Sequence, residues 1–122
     1  MNFTKERRKH VRYSLGDGAV AVFGTSPGPI SDISVGGLSF LYLENGRPVP
    51  EFESVDILDG SQGFFLEKIS CRTVGDCLVV NESPYNLLKL VRRSLEFVGI
   101  TGVQKAQLES YIHKTTHSLV SC

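Results

Sequence analysis

Short apolar or alternating runs, cut at close intervals by glycine, proline and Asn/Asp signals, restrict this chain to a small all-β architecture. Ala19-Val20-Ala21-Val22-Phe23 is the first such run. A Ser26-Pro27-Gly28-Pro29 turn separates it from Ile30 to Ile33, and Leu38-Ser39-Phe40-Leu41-Tyr42-Leu43 follows. A turn at Glu44-Asn45-Gly46-Arg47-Pro48 leads to Val55-Asp56-Ile57-Leu58, whose neighbour Asp59-Gly60 is a hairpin signal. Phe64 to Val74 and Cys77 to Val80 read as two strands joined at Gly75-Asp76, and residues 82–88 read as a loop. Ser94 to Thr101 alternates through Leu95, Phe97, Val98 and Ile100. Six or seven short strands at this spacing build a small barrel or sandwich.

The period changes near the end of the chain. Val103, Ala106, Leu108, Tyr111 and Ile112 approximate a helical stripe, and Thr101 or Gly102 is placed to cap its start. At the other end, residues 1–17 are polar and basic and finish in the Gly16-Asp17-Gly18 turn signal. Within its first thirteen residues, Lys5, Arg7, Arg8, Lys9 and Arg12 against Glu6 give a local charge of +4 in a chain whose net charge is zero. The expected organisation is a flexible basic arm over residues 1–17, one β-domain with its helix over 18–117, and a short tail over 118–122.

With 122 residues, the chain can bury a core without disulfides or a structural metal. Cys71, Cys77 and Cys122 are odd in number and widely spaced, which does not suit a secreted disulfide framework and suits a reducing cytoplasm. Cys71 and Cys77 read as buried small hydrophobes. No apolar run reaches the length of a membrane-spanning helix, so membrane insertion is not expected. His113 and His117 stand four apart on the expected helix, but no second ligand pair accompanies them, and they read as a surface helix end rather than a metal site. No catalytic signature is present.

Two motifs carry chemistry. Arg8-Lys9-His10-Val11-Arg12 sets two arginines four apart, directly preceded by Arg7. Alone, this is as compatible with a solvated arm or a loose nucleic-acid contact. About twenty residues later comes Asp32-Ile33-Ser34-Val35-Gly36-Gly37. Alone, this is as compatible with a tight turn held by Asp and Ser, with glycine supplying positive φ. In this order, flanking the first strand, the pair resembles the signature of the PilZ family, R-x-x-x-R followed by (D/N)-x-S-x-x-G. Ser94-Leu95-Glu96-Phe97-Val98-Gly99-Ile100 resembles that family's last core strand, with a helix after it.

The resemblance implies a mainly β fold: a six- or seven-stranded antiparallel β-barrel with a basic N-terminal arm and one C-terminal α-helix. It also implies a non-enzymatic receptor for cyclic di-GMP, with no other cofactor. The binding set would be Arg7, Arg8, Arg12, Asp32, Ser34, Gly36 and Gly37. Arginine forks suit phosphate oxygens and the guanine O6/N7 edge, and their faces stack on purines. A carboxylate at Asp32 accepts from guanine N1 and N2, which adenine does not present together. Ser34 adds a small donor and acceptor, and Gly36 and Gly37 let backbone N–H groups approach. In the family, an arginine at the place of Arg7 goes with a stacked pair of ligands, which implies two cyclic di-GMP molecules per chain.

The output would be a changed surface read by an unidentified downstream protein. A ligand-independent interaction module of the same fold and a nucleic-acid-binding barrel are the alternatives, the latter disfavoured because the body beyond the arm is net acidic. Arg92-Arg93 reads as a solvated strand end, with a contribution of a basic side chain to the site as the alternative.

Overall fold

The computed structural model of the chain describes residues 13–14, 18–44, 50–79 and 89–115. Seven strands and one helix lie among them: β1 (Tyr13–Ser14), β2 (Ala19–Phe23), β3 (Ser26–Ser34), β4 (Gly37–Leu43), β5 (Phe52–Asp59), β6 (Phe64–Leu78), β7 (Leu90–Phe97) and α1 (Gly102–Thr115). Six strands close into an antiparallel barrel in the order β2-β3-β4-β7-β6-β5, with β5 returning to β2. The short β1 pairs beside β3, so two residues of the expected arm belong to the sheet.

Alternation sets the interior. Ala19, Ala21 and Phe23 of β2 point inward, as do Leu38, Phe40 and Tyr42 of β4 and Val55 and Ile57 of β5. Val91, Leu95 and Phe97 of β7 join them. Strict alternation fails in three places, and each is a bulge that bends the wall toward closure. In β6, Leu66 and Ile69 both face inward although three apart. Asp56 there faces the extra residue: Lys68 adopts a left-handed φ of 57°, and its N–H donates to Asp56 Oδ1 at 2.8 Å. The other two bulges lie in β3 between Ile30 and Asp32 and in β6 between Thr73 and Gly75.

Several elements differ from their sequence reading for physical reasons. Ser26-Pro27-Gly28-Pro29 is not a turn but the first half of β3, and the turn is Gly24-Thr25, with Gly24 at φ 61°. Pro27 and Pro29 lie opposite Val22 and Val20. Two apart, they direct their missing N–H groups to the same edge, so the ladder to β2 keeps the donors of the alternate residues. Gly75-Asp76 does not end a strand: β6 runs unbroken for 15 residues, with Gly75 opposite Ser94 and Asp76 opposite Arg93. The last strand spans 90–97 rather than 94–101. Leu90 to Ser94 pair with β4, and Val98 and Gly99 instead donate their N–H groups to Ser70 O. The turn over 45–48 and the loop over 82–88 lie outside the described residues.

The helix begins in a capping box. Thr101 Oγ1 accepts from Gln104 N at 3.1 Å, and Gln104 Oε1 accepts from Thr101 N at 3.0 Å. Its buried residues are Leu108, Tyr111 and Ile112, while Val103 is 71% exposed and Ala106 is exposed as well. The expected stripe is thus confined to the C-terminal half, while the first turn touches the barrel through Gln104 Nε2 donating to Glu67 O at 3.1 Å. Tyr111 stacks on Phe64 at 4.1 Å between ring centroids and donates to Asp59 Oδ2 at 2.7 Å. Ser61 donates to Asp59 Oδ1 from both Oγ (2.6 Å) and N (3.1 Å). Burial disfavours the Asp59 charge, but the hydrogen bonds from Ser61 and Tyr111 outweigh it and hold the pKa below its ordinary 3.8.

A carboxyl with a lowered folded pKa stabilises fully above its unfolded value and loses that contribution as pH falls through the folded value. Asp59→Asn should therefore cost about 2 kcal/mol at pH 7, the worth of hydrogen bonds to a charged acceptor. The gap to wild type should narrow as pH drops below 3.8, as read by thermal melts across a pH series.

Candidate ligand-binding site

The bulge in β3 aims the candidate acid outward. Ile30 and Ile33 both face the core, so the extra residue leaves Ser31 and Asp32 on the outer face. From Asp32 a polar row crosses the barrel wall, with Asp32 opposite Ser39, Ser39 opposite Ser94, and Ser94 opposite Gly75. Ser39 and Ser94 hydroxyls hydrogen-bond at 3.1 Å, and Ser31 Oγ donates to Ser39 O at 3.2 Å. On the other side of Asp32, β1 pairs Ser14 with Asp32 and Tyr13 with Ile33.

Past Ser34, the chain turns through Val35-Gly36 into β4. Ser34 is 3% exposed, and its hydroxyl is committed to this turn: it accepts from Gly36 N at 3.1 Å and donates to Gly37 O at 3.4 Å. Gly36 O accepts from Phe97 N at 2.9 Å, which fastens the turn to β7. Gly37 is required by crowding rather than by a left-handed φ. A Cβ there would lie 2.1 Å from Leu95 O, backbone that has no room to retreat. Asp32, Ser34, Gly36 and Gly37 thus share one edge of the barrel, with Asp32 the outward-facing acid and the other three shaping the turn beside it. Arg7, Arg8 and Arg12 lie outside the described residues, although Arg12 directly precedes Tyr13 of β1.

The arginine pair of β7 is divided by the strand. Arg93, expected to be solvated, is 3% exposed and points into the barrel, because alternation from Val91 to Leu95 passes through it. Its Nε donates to Asp76 Oδ1 at 3.0 Å, its Nη2 donates to the Tyr42 hydroxyl, and its guanidinium lies 4.3 Å from the Tyr42 ring centroid. The Tyr42 hydroxyl in turn donates to Asp76 Oδ2 at 3.3 Å, and burial pushes its pKa up, so it remains a donor at neutral pH. Sequence reasoning missed this cluster; the apolar flanks Val91 and Leu95, two residues either side of Arg93, were the available signal. Arg92 faces outward and is exposed.

Cys71 is buried, with its thiol pushed up to about 12 by burial, whereas Cys77 is exposed, on the outer side of β6. Cys77 is therefore not the buried small hydrophobe expected from the sequence. His113 is exposed, and His117 and Cys122 lie outside the described residues. Among the described residues no cluster of His, Cys, Asp and Glu has metal-holding geometry.

Gly37→Ala should lower the melting temperature of the ligand-free protein by about 10 °C or more, since the new methyl forces β4 from β7 and backbone clashes of this kind cost about 2 kcal/mol or more. A melt unchanged by this substitution would show that β4 and β7 tolerate separation at the turn.

No protein-family model matches the sequence, and no curated protein matches it. Among solved structures, the PilZ domain of YcgR from Escherichia coli with c-di-GMP aligns at a TM-score of 0.69 and 18% identity, covering 89% of this chain and 91% of that one. A crystal structure of YcgR from Escherichia coli in complex with c-di-GMP aligns at 0.65 and 14% identity, covering 88% of this chain and 45% of that one. The closed six-strand barrel, its β1 flank and its C-terminal helix are accordingly the PilZ-domain fold.

Proposed function

We propose that this chain is a non-enzymatic, cytoplasmic receptor for cyclic di-GMP. One observation carries the reading. β1, the two residues that follow Arg12, is hydrogen-bonded to the Asp32–Ile33 stretch of β3. Consecutive Cα atoms stand about 3.8 Å apart, so the last arginine of the motif is one peptide bond from a strand that pairs with the strand bearing the Asp-Ser-Gly loop. This pairing supports a reading in which two motifs that mean little apart act together at one edge of the barrel. The presence of c-di-GMP in both similar YcgR structures supports the same ligand class here.

In this reading Asp32 accepts from the guanine N1 and N2 donors, and Arg8 and Arg12 grip phosphate and the guanine O6/N7 edge from the arm. Ser34, Gly36 and Gly37 hold the turn and leave its backbone open to the ligand. Arg7 supplies a third guanidinium for a second, stacked ligand. Closure of the arm over the ligand changes the surface that a downstream protein reads. No nucleic acid is required. No helix among the described residues is long and apolar enough to cross a membrane.

Titration calorimetry on the full chain should give micromolar or tighter binding of cyclic di-GMP. Arg8→Ala and Asp32→Ala should each weaken it by about tenfold or more, the worth of a charge-assisted hydrogen bond. Equal binding by all three proteins would overturn the reading. The same titrations should saturate at two ligands per chain and drop toward one in Arg7→Leu; saturation at one in both proteins would remove the stacked-pair assignment while leaving the receptor in place.

A further inference from the structure

Resting on the receptor reading, we infer that Arg92 is a further ligand contact: a cation on the outer face of β7 that binds a phosphate of the cyclic dinucleotide docked at Asp32. Of the three arginines among the described residues, two are committed. Arg72 pairs with Glu96 at 2.7 Å, and Arg93 pairs with Asp76 inside the barrel. Arg92 is exposed and makes no ion pair with any described residue. Its cross-strand partners are Leu41 of β4 and Cys77 of β6, and Ser94 lies two positions along the same face, so no charge adjoins it in its own row or in the next.

The register places this free cation with respect to Asp32. Asp32, Ser39 and Ser94 form one row across three strands, and Arg92 stands on the same face in the adjoining row. Two interstrand spacings and two residues of rise put the Cα atoms of Asp32 and Arg92 roughly 12 Å apart. Ser39 and Ser94 lie along the interval, with their hydroxyls hydrogen-bonded at 3.1 Å and Ser39 only 3% exposed. A guanine seated on Asp32 carries its phosphate one sugar away, and a long guanidinium side chain spans the remainder. The charge balance agrees. Two stacked cyclic dinucleotides would bring four phosphates, against the three arginines of the N-terminal motif, and Arg92 brings the number of guanidiniums to four.

The test compares wild type, Arg92→Gln, Arg92→Lys and Arg8→Ala in titrations with cyclic di-GMP at low and high salt, with thermal melts as the fold control. Arg92→Gln should bind about tenfold or more weakly and lose part of the salt dependence, while Arg92→Lys recovers some affinity by restoring the charge. The melting temperature of Arg92→Gln should match wild type, since the side chain is exposed and makes no ion pair among the described residues. If wild type and Arg92→Gln bind alike while Arg8→Ala fails, the Arg92 contact is overturned and the receptor reading stands. If wild type itself does not bind, both are overturned.

Discussion

Closure of the barrel depends on a single strand serving two partners in succession. β3 pairs with β2 through residues 26–29 and with β4 through residues 30–34, and without that change of partner the sheet would remain open. The crossover brings the backbone of β3 so near β4 that a Cβ on Gly28 would lie 1.6 Å from Leu41 O. A glycine between two prolines at this place makes the corner possible: proline holds the chain extended on either side, and glycine lets the neighbouring carbonyl in. The bulge just beyond keeps Ile33 in the core after the change of partner, and as a by-product turns Asp32 outward. The geometry of the candidate site is thus a consequence of how the barrel closes.

The interior shows a second constraint. A buried arginine is tolerated only because Asp76 and Tyr42 satisfy it and two aromatic rings, Phe23 and Tyr42, lie against its guanidinium. Asp76 is 32% exposed on its side chain, so the pair sits at the barrel mouth rather than in its dry centre. Such a pair adds little net stability compared with apolar packing, and its effect is to specify which residues face each other. Here it fixes β6 against β7 beyond the Val74 bulge, where hydrophobic alternation has lapsed and register would otherwise be poorly determined.

Those lapses also explain what could be read from the chain. β2 was legible residue for residue, and β4 and the centre of β5 nearly so, because their alternation is unbroken. β3 looked shorter because Pro27, Gly28 and Pro29 resemble a turn, and only the pairing shows that their donors are not needed. β6 looked like two strands because Gly75-Asp76 is an ordinary turn pair, here absorbed by a bulge. Thr101 was legible as one of two candidate helix caps, whereas the buried face of α1 depended on which residues pack against the barrel. At the site, the Asp-Ser-Gly motif was legible as a motif. The engagement of Ser34 within its own turn, and the opposite fates of Arg92 and Arg93, required the register, since neighbouring residues of a strand face opposite ways. Arg7, Arg8 and Arg12 lie outside the described residues, so their part rests on the sequence and on the position of β1.

A sheet closed on itself has no unpaired rim. Each of the six barrel strands pairs with two others, and the one extra strand among the described residues, β1, is two residues long. Recruitment of another chain by strand addition is therefore blocked along the doubly paired stretches of this wall. Any protein that responds to it must recognise side chains on its faces or helix, and a change confined to the outer surface near Asp32 would be enough to alter what such a protein meets.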